Sequence, residues 1–513
     1  MEENKNSLPF ETAGAAPAPL NLHAFATGRR ELILCAALLV IAVLMANFIT
    51  VGGFRMAFGV TCAVIIIATA VYLLRSGRKL TFYSGALLTL SLIIALSFGR
   101  SEDSFVKFVM FIFLCFSANL GLCLLGGKNR RDPKGFTSFA DAFRGAFSLG
   151  VGKLGPAFTG LSLARKARKG SQTTGAIIAG LAIAVPLVII LVLLLASADA
   201  AFEGLVNKLP KVDLWEPFAA LVLGIPMGCY FYIRATALQH TNDFHVPNAR
   251  GKGMNPLTVN TVLGAVCLVY GVYLFSQLAY FAGGFSGFLP EEFTMAEYAR
   301  RGFFEMAVIC TINLFVISLA VGLTRKEETS PLSTRLLCLF IGIITLFLTV
   351  ASSAKMVMYI GSYGLTRLRV LTQVIILFMA LATIFVCIWL FARKMPYMKA
   401  IVLTALLLGS IVIWADVDTV VACYNVRAYQ AGILETVDMD HLADLSDGAI
   451  PYIAELTQDA DEIVARRAKA ILSTRQYEET DSESDDFRAW NIADAIADPF
   501  TVPYAEPNTN LDN

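Results

Sequence analysis

Repeated runs of about twenty apolar residues constrain this chain more than anything else in it. The first, LILCAALLVIAVLMANFITV from Leu32, has the length a helix needs to cross a bilayer. Ten more follow near 56–74, 81–98, 105–125, 175–197, 217–233, 258–281, 303–323, 335–353, 370–392 and 400–415. Backbone amides find no water in hydrocarbon, so each run must close its hydrogen bonds internally, as a helix. The expected fold class is therefore all-α: a polytopic transmembrane helix bundle of about eleven spans. Only 16% of the residues are charged, against about 25% in soluble domains.

Charge sorts the loops into two sets. With the amino terminus in the cytoplasm, cytoplasmic segments hold 25 Lys and Arg and the opposite loops ten. Basic residues are retained inside, so this is the expected orientation, and an odd span count puts the carboxyl terminus outside. Residues 416–513 hold 21 acidic and six basic residues. Three parts follow: a disordered cytoplasmic tail over 1–31, a transmembrane domain over 32–415, and a small acidic extracytoplasmic helical domain with its tail over 416–513. Within the last, DHLADLSDGAIPYIAEL and ADEIVARRAKAIL suit short helices with one buried face. Asp438 or Asp440 is placed to cap the first, and Asp459 and Asp461 to start the second. EETDSESDD reads as a solvated linker, and Trp490 as the packing anchor of a last short helix.

Several basic residues sit against this pattern, on the outside. Arg300, Arg301, Lys355, Arg367 and Arg369 all lie near membrane entry points. Glu297, Arg301 and Glu305 are spaced by four, so on a helix Arg301 is paired; Arg300 is not. Interfacial anchoring, with long side chains reaching the headgroups, is the plainer account. The functional account is an anion-attracting outer mouth that receives lipid phosphate, an acidic ligand or the acidic domain itself. On that account Arg300, Arg367, Arg369 and Lys355 are the ligand- or domain-docking candidates, and the tethered domain docks over the outer loops.

On the cytoplasmic side, Phe136, Phe139, Phe143 and Phe147 recur at helical spacing in the long loop 128–172. With Arg144, Lys153 and ARKARKG nearby, Phe139, Phe143, Phe147 and Arg144 read as a membrane-surface face resting on anionic lipid headgroups. Packing against the cytosolic span ends is the alternative. HTNDFH resembles a metal motif, but histidines five apart fall on different sides of a helix, and a polar loop is the simpler reading. The ten cysteines lie almost entirely in apolar runs without a CxxC pair and read as small hydrophobes. Pro186 and Pro226 kink two spans.

TMAEYARRGFFEM, YIGSYGLTRLRVLTQ, YNVRAYQAG, HLADLSDGAIPYIAEL and FRAWNIADA occur in that order. This ordered set resembles the bacterial multi-pass membrane proteins catalogued as domain of unknown function 4173. The resemblance runs from about the first span to Ala497. It implies a bacterial cytoplasmic membrane location and brings no activity and no catalytic residues.

Absent groups narrow the function. No span holds a histidine, and no Asp or Glu lies near a span centre, where a charge costs roughly 2.5–3.5 kcal/mol and is retained for function. Proton-coupled transport is thereby disfavoured. HExxH, GxxxxGK[ST] and an intramembrane Ser–His pair are missing. The reading is a non-enzymatic scaffold or sensor that presents the outer domain, with no cofactor and no metal. Its partners are the lipid bilayer, anionic headgroups and an envelope protein; nothing calls for nucleic acid. A channel or facilitator for a small solute is the alternative, in which Asn119, Gln277, Asn313 and Gln373 converge on one cavity. A membrane-embedded enzyme using Asp416 and Asp418 comes third.

Overall fold

The computed structural model describes residues 29–100, 104–127, 215–240, 254–285, 303–323, 332–392 and 394–481, with the single positions 191, 492 and 500. Everything long in it is helical: α1 (Arg29–Gly52), α2 (Met56–Arg75), α3 (Phe82–Leu96), α4 (Ser104–Leu125), α5 (Trp215–His240), α6 (Pro256–Phe285), α7 (Phe303–Leu323), α8 (Leu332–Tyr363), α9 (Arg367–Phe391) and α10 (Tyr397–Ala415). Shorter helices follow: α11 (Val417–Gln430), α12 (Met439–Ala443), α13 (Ile450–Glu455) and α14 (Glu462–Asp481). Among the described residues, nine helices are long and apolar enough to cross a membrane, and α7 carries a shorter apolar stretch, Val308–Val321. The expected span at 175–197 lies outside the described residues, so eleven spans remain an expectation.

Helix ends obey local chemistry. Thr81 and Ser84 form a reciprocal capping box at the start of α3, each side chain accepting from the other's backbone N–H at 3.2 and 3.0 Å. Within the spans, hydroxyls return to their own helix: Ser91 Oγ donates to the Leu87 carbonyl at 2.7 Å and also reaches Ser117 Oγ of α4 at 2.9 Å. Two boundaries differ from the sequence expectation. Helix α8 continues to Tyr363, which places Lys355 on the helix itself. Helix α5 runs to His240, so Arg234, expected in a cytoplasmic segment, belongs to a span helix and is buried. A hydropathy reading stops at the first charge, but the helix does not: Ala235, Thr236, Ala237 and Leu238 are all buried beyond it.

Among the described residues, three hydrophobic clusters organise the spans. Helices α1–α5 share one, and α10 closes it with Val402, Leu406 and Ile413. Helices α6–α9 form the other two: one joined by Tyr397 at the start of α10, and a smaller one around Cys310, Ile344, Leu348 and Met379. Tight seams in the first need missing side chains. A Cβ on Gly224 would lie 2.5 Å from Val43 Cα, and one on Gly228 would lie 2.9 Å from Leu39 Cα. Small residues four apart on α5 therefore let its backbone touch α1, the close approach by which lipid-embedded helices gain contact. Pro226, between them, stays inside the helix.

Helices α11–α14, here the cap, surround a fourth cluster containing Val421, Val426, Leu442, Leu445, Ile453, Leu456, Ala468 and Leu472. Asp438 Oδ1 accepts the His441 amide at 3.0 Å, and Asp461 Oδ1 accepts the Ile463 amide at 2.9 Å; both serve the helix starts expected of them. Helix α14 continues through Glu478 and Glu479 to Asp481, into the stretch expected as linker, because glutamate is a good helix former.

Candidate functional site

Three pieces of chain meet where α10 gives way to α11: the 364–366 turn before α9, the first turns of α11, and the 444–448 turn of the cap. Arg367, the first residue of α9, faces Asp418 as a two-pronged pair, Nε to Oδ1 and Nη2 to Oδ2, the latter at 2.6 Å. Parallel donors of this kind match carboxylate geometry. Nη2 also donates to the Asp444 carbonyl at 3.1 Å, and the Ser446 amide donates to Asp418 Oδ2 at 2.9 Å. One ion pair thus ties α9, α11 and the cap turn together. The Asp418 side chain is 6% exposed and Arg367 39%, so water reaches the pair from the arginine side. Burial pushes the Asp418 carboxyl up, but Arg367 and the Ser446 amide outweigh it, and the net shift is downward.

A second clamp lies about two turns further along α11. Asn425 Oδ1 accepts the Leu365 amide at 2.7 Å and its Nδ2 donates to the Leu365 carbonyl at 2.9 Å. Both backbone groups of a turn residue are satisfied by one side chain. Gly364 makes the approach possible: its φ is +73°, and a Cβ there would sit 2.8 Å from Asn425 Oδ1.

Asp416 forms the hinge between α10 and α11. Among the described residues it is the one non-glycine with positive φ, at 51°, a conformation that costs energy and persists only when surroundings enforce it. Thr419 Oγ1 donates to Asp416 Oδ2 at 2.6 Å and lies 3.2 Å from the Gly448 carbonyl. A Cβ on Gly448 would overlap both Asp416 Oδ2 and Thr419 Oγ1, so cap backbone roofs the carboxyl. Burial raises the Asp416 carboxyl above its ordinary value, Asp418 pushes the same way, and Thr419 and Arg100 hold it back. Arg100 also reaches the Trp414 carbonyl at 3.4 Å while Trp414 Nε1 donates to the Ile93 carbonyl at 3.1 Å. The ends of α3 and α10 are thereby linked beside the hinge.

The other candidates fall elsewhere. Arg369 turns back onto its own loop, donating to the carbonyls of Tyr363, at 2.9 Å, and Gly364. Its guanidinium lies 4.2 Å from the Tyr359 ring centre. Lys355 is half-buried on α8. Arg300, Arg301, the membrane-surface residues Phe139, Phe143, Phe147 and Arg144, and Trp490 lie outside the described residues, as does HTNDFH beyond His240. None of the ten cysteines, all among the described residues, is in a disulfide. No group of three His, Cys, Asp or Glu suited to a metal occurs among the described residues. On the cap's surface, Thr419, Cys423, Tyr424, Arg427, Ile433 and Tyr452 line part of an open groove of about 580 Å³.

Three of the five segments quoted for the resemblance meet here: GSYGLTR supplies Gly364, Leu365 and Arg367; YNVRAYQ supplies Asn425; HLADLSDGA supplies Asp444, Ser446 and Gly448. A family model described as Domain of unknown function (DUF4153) matches residues 62–456, well over half of the chain. The chain belongs to that family. The number 4173 is not the one matched, a correction to the sequence reading; the class, an uncharacterised domain, is the same. The DUF4153 region ends inside the cap, at the close of HLADLSDGAIPYIAEL, so it includes both clamps and the hinge but not α14 or FRAWNIADA. No curated protein and no solved structure matches the chain.

Asn425, Thr419 and Gly448 are parts of the site that the sequence reading did not single out. Asn425 and Gly448 carry a signal only as members of the ordered segments, Thr419 carries none, and nothing local pairs Asn425 with Leu365, 60 residues away.

Proposed function

We propose that this DUF4153 protein is a non-enzymatic membrane scaffold or sensor, which holds the cap in fixed register on the extracytoplasmic ends of its spans. The supporting observation is the Arg367–Asp418 pair with its bonds to Asp444 and Ser446. It joins a span end to the cap through four groups at once, more than a passive tether requires. The reading carries the full topology with it: amino terminus in the cytoplasm, eleven spans, carboxyl terminus outside, in a bacterial cytoplasmic membrane. Reporter fusions after Lys399 and after Asn513 test this. Opposite sides support it, and both in the cytoplasm would remove the extracytoplasmic cap.

The channel reading draws less support. Asn313 bonds between helices, accepting from Tyr270 Oη at 2.5 Å and donating to Thr345 Oγ1 at 2.9 Å. Gln373 meets Ser353 across α8 and α9 at 3.2 Å. Asn119 lies on α4, in the first cluster, and donates to its own helix at Cys115. The Asn313 and Gln373 bonds tie neighbouring helices and the Asn119 bond stays within its own, so the three do not line one path; the Gln277 side chain lies outside the described residues. The enzyme reading has two carboxylates of opposite character in its favour, but the Gly448 backbone covers Asp416 on the side where Thr419 meets it.

A further inference from the structure

Arg234 is the one strongly buried cation of the spans described: 7% exposed, with Nε and Nη2 both enclosed and without a hydrogen-bond partner. A guanidinium stays charged at any physiological pH, and a buried charge without a counter-charge is among the costlier arrangements in a protein. An ionisable group in that position marks a site whose partner has to be identified.

Among the described residues, no carboxylate is paired with it. Helices α1–α5 contain two, Glu31 and Glu216. Glu216 is about 27 Å away along α5 at 1.5 Å per residue. Glu31 acts on Tyr72 and Tyr232, and residues 232 and 234 point about 200° apart on a helix, so Glu31 stands on the opposite side of α5.

What does face Arg234 is a polar strip on α4. The charge of Arg234 is felt by Cys115 and Tyr230, and Tyr230 in turn feels Cys115 and Cys123. Cys115, Asn119 and Cys123 recur by four, on one face of α4. Asn119 Oδ1, between them, is likewise buried without a partner. The facing sides of α4 and α5 thus carry an unanswered acceptor, on Asn119, and unanswered donors, on Arg234. At the end of this α4–α5 seam the helices touch, Gly126 backing on Leu238. There Arg78 donates to the Gln239 carbonyl at 2.8 Å and lies over Gly127. This basic mouth is about 8 Å above Arg234 by helical rise, on the side with the larger share of loop lysines and arginines.

We propose that the α4–α5 seam binds one anionic, hydroxyl-bearing phospholipid, whose phosphate accepts from Arg234 and whose headgroup hydroxyl answers Asn119 Oδ1, entering past Arg78. Basic pockets between span helices are suited to such headgroups, and a long arginine draws phosphate and local thinning toward itself. The inference does not depend on the scaffold reading, because it concerns the opposite end of the bundle from the cap.

The test uses the full chain purified in mild detergent, with tightly retained lipid counted by native mass spectrometry. Wild type retains one phosphatidylglycerol-class lipid through delipidation. Arg234→Gln binds it about tenfold more weakly, the loss expected for a charged hydrogen-bonded contact. Arg234→Lys and Asn119→Ala retain it in part. A readout on unaltered protein keeps the proposal testable if Arg234→Gln fails to fold: alkylation of the exposed Cys115, followed by peptide mapping, slows when phosphatidylglycerol is added back and not with phosphatidylcholine or inorganic phosphate. Equal lipid retention by wild type and Arg234→Gln overturns the proposal. So does equal protection by inorganic phosphate, which would make this a free-anion site, or Cys115 alkylation unmoved by any lipid.

Discussion

The α1–α5 seam and the joint between α9 and the cap hold their partners by opposite means. At the seam, Gly224 and Gly228 withdraw their side chains so that two backbones meet. At the joint, Arg367, Asp418 and Asn425 extend side chains across the gap and bond to whatever backbone they find. Solvent explains the difference. Lipid tails are as apolar as leucine, so helices in the bilayer gain by closer packing, not by leaving water. At the membrane edge water competes for every polar group, and a joint there needs charges sheltered on at least one side. Asp418 provides the sheltered side. The lesson is that the cap's position rests on a few named polar contacts together with Leu365, Ile360 and Val370 packed into its cluster, while the seam's rests on shape alone.

The largest break should come at the seam. Gly224→Leu drives a side chain into the Val43 backbone, which cannot yield as a side chain would. Overpacking of this kind costs about 1–3 kcal/mol and sometimes more, so the thermal midpoint in detergent falls and the α1–α5 amides exchange faster while the cap keeps its protection. Asp418→Asn comes next and reverses that pattern. It removes the charge facing Arg367 and should cost about 1–3 kcal/mol, discounted toward the lower end because Arg367 is part-exposed. Amide exchange then rises over 439–456 with the spans unchanged.

Asn425→Ala is smaller, about 1–2 kcal/mol for two neutral bonds partly replaced by water. It is visible as faster exchange at Leu365. The smallest effect is on pH dependence, where the two aspartates have opposite signs. Asp418, lowered on folding, stabilises above its ordinary value of 3.8 and loses that contribution as pH falls through its folded value. Asp416, raised on folding, contributes below 3.8 and loses its contribution as pH rises through its raised value. Asp416→Asn should therefore protect the cap slightly better than wild type at neutral pH and no better below 3.8. A gain at both ends would mean that burial of the carboxylate is not what shifts it.

Much of this architecture was legible in the sequence, and what was not failed for definable reasons. Apolar runs gave the spans because lipid forces helices on them. Asp438 and Asp461 announced cap helices because short acceptor side chains serve helix starts. The helix around Arg234 runs further than the apolar stretch 217–233 because a hydropathy run ends at a charge, whereas a helix continues while its faces are covered. The GIPMG spacing around Pro226 does carry the seam in the sequence, as two small residues four apart. The joint itself was only half visible: Arg367 stood out as a basic residue on the acidic side, but its partner Asp418 lies 51 residues away. The positive φ of Asp416 has no sequence signature at all, since glycine would be the usual choice there.

The central claim, that the cap is fixed to the span ends and not merely tethered, is tested most directly by a distance. Spin labels at Leu368 and Ile463, exposed positions on α9 and α14, report cap position in full-length protein by double electron–electron resonance. A single narrow distance distribution in wild type, unchanged by added salt and broadened by Asp418→Asn, is the result this account predicts. A broad distribution in wild type that Asp418→Asn leaves unaltered would contradict it and make the cap a freely tethered domain.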